Sequence, residues 1–97
     1  MSLNNLAGFD WNKANKYKNL IKHKVSYKEC EEAFLNQSVP VYPDFKHSTG
    51  EKRFYILSQT SKKRKLFISF TIRRNKIRVI SARDMNKKER RIYAQKT

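Results

Sequence analysis

Leu66-Phe67-Ile68-Ser69-Phe70-Thr71-Ile72, then Arg73-Arg74-Asn75-Lys76, then Ile77-Arg78-Val79-Ile80-Ser81-Ala82, is the stretch that decides the fold. Its apolar residues recur at every second position, the period of a half-buried strand. Leu66, Ile68, Phe70 and Ile72 face one way, and Phe67, Ser69, Thr71 and Arg73 the other. Arg74-Asn75-Lys76 turns the chain, so Ile77 to Ala82 returns antiparallel. Working backwards, Ser61 to Lys65 is a basic turn and Arg53 to Thr60 a further strand. Phe54, Ile56 and Ser58 share one of its faces; Arg53, Tyr55 and Leu57 share the other. The stretch from Asn36 to Gly50 holds Pro40 and Pro43 and reads as irregular, with a short edge strand over Val39 to Tyr42.

Further upstream the period becomes helical. A helix is expected over Asn12 to His23, with Asn12 as N-cap. Ala14, Tyr17, Leu20 and Ile21 fall on one face of it, and lysines decorate the rest. Ser26 and Glu29 have the spacing of a capping box that opens a second helix, with Val25 and Cys30 placed as its hydrophobic staple. Tyr27, Cys30, Ala33 and Phe34 make the buried face of that helix. Phe9-Asp10-Trp11 reads as a short edge strand, and a last helix begins near Asn86, where Glu89 gives an Asn-x-x-Glu start. Helices followed by strands give an α+β fold: a helical hairpin packed on an antiparallel sheet, with a short C-terminal helix on the rim. The hairpin should cover the face made by Leu66, Ile68 and Phe70. The opposite face, with Thr71, Arg73 and Arg53, should stay open.

No repeat or linker divides residues 1–97, so one domain is expected. Lysine and arginine number 23 against 8 acids, a formal charge of +15 spread along the whole chain. Such a charge repels itself in the folded state and is a usual footprint of binding to phosphate backbones. A membrane-surface role would need a basic helix with a large apolar face, and none is present. The N-terminal residues have neither a charged n-region nor an apolar run, so neither a signal peptide nor a transmembrane span is read and a cytoplasmic protein is expected. Cys30 is the only cysteine and suits packing better than catalysis. The two glycines, Gly8 and Gly50, build no phosphate-cradling loop, and no cofactor is expected.

A metal-dependent phosphodiesterase needs carboxylates converging on a cation. The few acids here are scattered, and His23 and His47 lie in different elements, so no metal site is expected. RNA, however, carries its own nucleophile in the 2′-hydroxyl. The protein must then stabilise charge on phosphorus and move protons. Arginine suits the first task, because its planar fork binds phosphate oxygens in pairs. Arg53, Arg73, Arg78 and Arg83 lie on or beside the strands; His47, Glu51, His23 and Tyr93 are the candidate proton carriers. Taken singly, each arginine reads better as a solvated surface residue or a simple phosphate anchor, and His23 as a residue favourable to a helix C-terminus. Composition and periodicity therefore leave two classes open: a ribonuclease, or a non-catalytic nucleic-acid-binding module or transcriptional regulator.

Motif order goes further. Phe9-Asp10-Trp11-Asn12, Asn19-Leu20, Lys22-His23-x-Val25-Ser26-Tyr27-x-Glu29, His47-Ser48, Glu51-x-Arg53-Phe54, Phe70-Thr71-x-Arg73, Ile77-Arg78-Val79-Ile80-Ser81-Ala82-Arg83 and Glu89-Arg90-x-x-Tyr93 occur in the order found in the BrnT toxin family. The resemblance spans about residues 9 to 93. It implies a type II toxin with a RelE-like fold, similar to metal-independent ribonucleases that arrest translation. It also implies a BrnA-type antitoxin of the ribbon-helix-helix kind as partner, with DNA engaged only through the antitoxin complex. On the matching motifs, Arg53, Arg73, Arg83, Tyr93, His47 and Glu51 are the expected catalytic residues, and Lys22, His23, Arg78 and Thr71 the expected RNA contacts. Three positions depart from the family pattern. Lys24 stands where glycine is usual and would be strained at positive φ. Leu57 replaces a common small residue, and Asp84 places an acid beside Arg83.

Overall fold

The computed structural model describes residues 3, 6–35 and 39–96, with the side chain of residue 96 excepted. Residues 36–38 of the expected irregular stretch therefore lie outside the described residues. The elements run α1 (Lys13–Lys16), α2 (Lys18–His23), α3 (Tyr27–Leu35), β1 (Val41–Pro43), a 3₁₀ turn at Phe45–His47, β2 (Phe54–Gln59), β3 (Lys65–Arg73), β4 (Lys76–Asp84) and α4 (Lys87–Lys96). The strands form one antiparallel sheet in the order β1-β2-β3-β4. The α+β architecture read from the sequence is thus the one observed.

The β3–β4 hairpin turns through Arg74 and Asn75, at φ 50° and 66°. Two left-handed residues in succession are what a two-residue turn needs to match strand twist. One sheet face, Ile56, Leu66, Ile68, Phe70, Val79 and Ala82, is buried against Val25, Cys30 and Ala33 of the helical layer. Phe34 meets Phe70 edge-on at 5.0 Å, and Ser58 donates to the Ala33 carbonyl at 2.8 Å. Both ends of α3's start are fixed as expected: Glu29 N–H donates to Ser26 Oγ (3.2 Å) and Ser26 N–H donates to the Glu29 carboxylate (3.0 Å). Burial pushes the Cys30 thiol up to about 12, so it stays protonated and serves packing.

Three expectations change. The expected edge strand at Phe9 shrinks to a single parallel bridge to Ile77. The single helix over Asn12 to His23 is two, broken at Tyr17. The apolar face Tyr17, Leu20 and Ile21 points outward, at 48 %, 45 % and 81 % exposure, while Asn15 and Asn19 point in. The reason lies across the interface. Pairing jumps from Phe70↔Val79 to Ser69↔Ser81, so Ile80 is an extra, bulged residue. Asn15 Nδ2 donates to Val79 O (3.3 Å) and Asp10 O (3.0 Å), and Lys18 Nζ to Ile80 O (2.9 Å). The helices dock by supplying donors to the bulged strand rather than by an apolar stripe.

Candidate RNA interface

The outer face of the sheet carries the functional candidates. Strand alternation and register align Thr71 and Arg78 in one row across β3–β4, with Arg53 just ahead of β2 beside it, Tyr55, Ser69 and Ser81 in the next, and Leu57, Phe67 and Arg83 in the third. Tyr42 of β1 stands opposite Tyr55. The aromatic rings form a continuous rail: Tyr42 stacks on Tyr55 at 5.1 Å, and Tyr55 on Phe67 at 5.2 Å. Arg83 Cζ lies 4.2 Å from the Phe67 ring centroid and closes the rail with a cation–π contact. The start of α4 lies over this end of the rail. Together they line a pocket of about 450 Å³, with Tyr42, Tyr55, Phe67, Leu57, Glu89 and Ile92 among its walls. Leu57, the second departure from the family pattern, is buried in this wall.

Asn86 and Glu89 fix the start of α4 reciprocally, with N–H donations of 2.8 and 2.9 Å. Glu89 does more than cap. Its two oxygens accept from Arg83 Nη1 at 2.8 Å and Nη2 at 2.9 Å. Burial alone would push the Glu89 carboxyl up, but the Arg83 bonds and the Asn86 amide outweigh it and hold it below its ordinary value. The same pairing raises Arg83. Burial, then the charges of Tyr42, Asp44 and Glu89, push the Tyr55 phenol up, so it stays protonated.

The other expected site residues divide. Arg73 is held by Glu51 at 2.7 Å, a bond that lowers the Glu51 carboxyl. Arg78 reaches Asp10 at 3.5 Å. Arg53 lines a smaller pocket of about 300 Å³ with Pro43, Phe45, Ser48 and Phe54. His47 is exposed, its Nδ1 3.0 Å from Asp44. Tyr93 stands four residues beyond Glu89 on α4, on the same side of the helix. Thr71, expected to touch RNA, is only 2 % exposed and donates its hydroxyl to Lys52 O at 2.7 Å, so its role is structural. The expected open face is therefore closed at Thr71, in the row of Arg78. Lys22 and His23 belong to the helical layer and do not join the arginines of the outer face.

The other two departures also resolve. Lys24 is left-handed, at φ 57° and ψ 34°, as the usual glycine would be. Asp84 turns its carboxylate away from Arg83 to Arg64 Nε, 2.7 Å away, and Arg64 pulls it below its ordinary value. Arg83 pairs instead with Glu89. Tyr42, Phe67 and Glu89 were not singled out by sequence. The rings' outward parity was visible, but their diagonal stacking depends on register, and Glu89 reads as an ordinary cap.

Residues 11–89 match the family described as ribonuclease toxin, BrnT, of type II toxin–antitoxin system. The chain belongs to the BrnT family. Among curated proteins none matches it significantly. A BrnT-family chain is a ribonuclease toxin, with RNA as substrate and an antitoxin protein as partner. Among the described residues no group of three His, Cys, Asp or Glu could hold a metal ion, and no helix is long and apolar enough to cross a membrane.

Proposed function

We propose that this chain is a cytoplasmic endoribonuclease that works without metal, using the RNA's own 2′-hydroxyl to attack the adjacent phosphate and so arresting translation. The observation that carries the reading is the Tyr42–Tyr55–Phe67 rail ending on Arg83 beneath α4. Unpaired bases stack on such rings with about 1–3 kcal/mol each, without demanding a sequence. Arg83 then meets a phosphate at the end of the stacked bases and stabilises the charge that develops on its oxygens. Arg53, Arg73 and Arg78 hold flanking phosphates, with Tyr93 and the His47–Asp44 pair as proton carriers near the rim. The antitoxin in this reading is a BrnA-type ribbon-helix-helix protein that carries the pair to DNA. It covers the basic face with acidic and apolar side chains, so its association slows as salt rises.

The experiment is cleavage of single-stranded RNA by purified protein in excess EDTA. Products should end in 2′,3′-cyclic phosphate or 3′-phosphate. Arg83→Ala should lower the rate at saturating RNA by a factor on the order of a hundred to a thousand, the usual cost of one transition-state donor, with most RNA affinity kept. Cleavage lost on chelation and restored by magnesium removes the mechanism. Saturating turnover of Arg83→Ala within a few-fold of the unmutated protein reduces Arg83 to a phosphate anchor. RNA binding with no cleavage by the unmutated protein decides for the binding-module alternative.

A further inference from the structure

We infer that Glu89 is the general base of the reaction, resting on the ribonuclease reading above, and that Arg83 holds it in reserve until a phosphate displaces it. Three observations meet at this carboxylate. It lines the pocket whose other walls are Tyr42, Tyr55 and Phe67. It is paired through both oxygens with the guanidinium that ends the rail. It is also fixed in place by the Asn86 amide, which holds one of its oxygens at 2.9 Å.

Capping does not account for this arrangement. Glutamine can also fill the third position of a capping box, and a carboxylate adds only a small stabilisation there through the helix dipole. What a carboxylate adds is a charge, and here that charge is spent on one arginine fork. A phosphate diester binds the same fork in the same two-point geometry. RNA with a base in the pocket brings its backbone to the pocket mouth, and its phosphate oxygens exchange with Glu89 for Nη1 and Nη2. Glu89 Oε2 then has no partner, while Oε1 keeps the Asn86 amide, so the carboxylate stays aimed at the space it shared with Arg83. That space is where the ribose 2′-hydroxyl beside the bound phosphate lies.

The step balances without a co-reactant. The 2′-O–H proton passes to Glu89 Oε2 as the 2′-oxygen forms a bond to phosphorus. The bond from phosphorus to the 5′-oxygen breaks, and its electron pair leaves on that oxygen, which takes a proton from solvent. Glu89 returns its proton to solvent. The products are a 2′,3′-cyclic phosphate and a 5′-hydroxyl.

The groups facing Glu89 decide its pH behaviour. Arg83 comes from β4, Tyr55 and Tyr42 line the same pocket from β2 and β1, and on α4 itself Lys88 lines the pocket and Tyr93 stands one turn on, on the same side. In the free protein burial raises the carboxyl, while Arg83 and the Asn86 amide lower it more. Once Arg83 is committed to phosphate, the lowering contribution weakens and a second anion sits nearby. The carboxyl therefore becomes a stronger base when substrate is bound. kcat reports groups in the complex and kcat/KM those in the free protein. The acid limb of kcat should thus lie at higher pH than that of kcat/KM.

The test compares the unmutated protein, Glu89→Gln and Glu89→Asp on one single-stranded RNA from acid to neutral pH. Glu89→Gln keeps the cap. It should lose cleavage at saturating RNA by a factor on the order of 10²–10⁴, lose the acid limb, and bind RNA as tightly as before or tighter, because Arg83 is no longer occupied. Glu89→Asp should keep the limb at a reduced rate. Glu89→Gln turnover within a few-fold of normal overturns the inference alone. So does an acid limb retained in Glu89→Gln, which is the signature of a residue that only positions Arg83. Should Glu89→Gln fail to fold, the unmutated protein still decides: no acid limb, or coincident limbs in kcat and kcat/KM, overturns it. An unmutated protein that cuts no RNA overturns the ribonuclease reading itself.

Discussion

Arg64 is the residue whose loss should cost the fold most for a side chain at the surface. It lies outside every motif read from the sequence, in the basic turn before β3. Its guanidinium reaches four residues on three other segments: Nε meets Asp84 at the end of β4 (2.7 Å), Nη1 meets Glu29 at the start of α3 (3.1 Å), and the carbonyls of Lys24 and His23 at the end of α2 accept at 2.7 and 3.3 Å. Arg64→Met keeps the stem and removes all four. Asp84's side chain is 63 % exposed, so that limb is worth at most about 1 kcal/mol. Arg64 and Glu29 are less exposed, at 27 % and 28 %, and the charged bonds to Glu29 and the helix-end carbonyls add about 1.5–3 kcal/mol between them. A net loss of about 2–3 kcal/mol follows after partial rehydration of the partners. For a domain of this size that lowers Tm by roughly 8–24 °C.

The dependence on pH carries a definite sign. Asp84 is held low by Arg64, and Glu29 is held low because Ser26 and Arg64 outweigh its burial. Groups with depressed folded values stabilise above their unfolded values, about 3.9 and 4.3. That stability is lost as pH falls through the folded values. Thermal melts by circular dichroism at pH 7 and near pH 2.5 should therefore show a large gap between Arg64→Met and the unmutated protein at neutral pH and a small one in acid. A drop of under about 3 °C at pH 7, against the range above, would refute the reasoning. So would a gap of equal size at both pH values.

Lys24→Gly should stabilise the protein by about 0.5–1 kcal/mol, the left-handed penalty of a side chain less the extra unfolded entropy of glycine. Urea denaturation reads it directly, and a destabilised variant would mean that φ 57° is not strained there. Asn15→Ala should cost about 1–3 kcal/mol by leaving the buried Val79 carbonyl without its donor. Ile21→Lys, on the outward face, should stay within about 0.5 kcal/mol. The opposite ranking in denaturant would restore the apolar stripe as the inner face.

The contrast between these two helical positions explains what the sequence could show. Period-two alternation located β2, β3 and β4, because the apolar side chains of one face recur at every second residue and the pattern is local, even though the middles of β2 and β3 are buried on both faces. The caps at Asn12, Ser26 and Asn86 were equally local, since donor and acceptor lie three residues apart. The inner face of α1 and α2 was not local. It was set by Ile80, far along the chain, at whose bulge the Val79 and Ile80 carbonyls accept from Asn15 and Lys18. The site follows the same division. Its arginines could be named from motif order, but the rail needed the Tyr55–Phe67 diagonal, and Glu89 needed the docking of α4.

Charge shows the limit most clearly. The count of +15 treats lysine and arginine alike. In the folded chain the acids separate them: Asp10, Glu29, Glu51, Asp84 and Glu89 each pair with an arginine, and among the described residues no lysine forms a salt bridge. The planar fork explains the preference, since it offers a carboxylate two bonds where an ammonium offers a point charge. The lysines are thus left to draw a polyanion in from a distance, a task that needs no fixed geometry. Arg64, Arg73, Arg78 and Arg83 are held by carboxylates, and under the proposed function Arg73, Arg78 and Arg83 would turn the same nitrogens to phosphate. Each carboxylate is then both a scaffold and a competitor. A phosphate that bound through both nitrogens would have to displace Glu89 from Arg83 or Glu51 from Arg73. Affinity for a single phosphate is lowered by that exchange, and a strand that engages several forks at once is favoured over a mononucleotide.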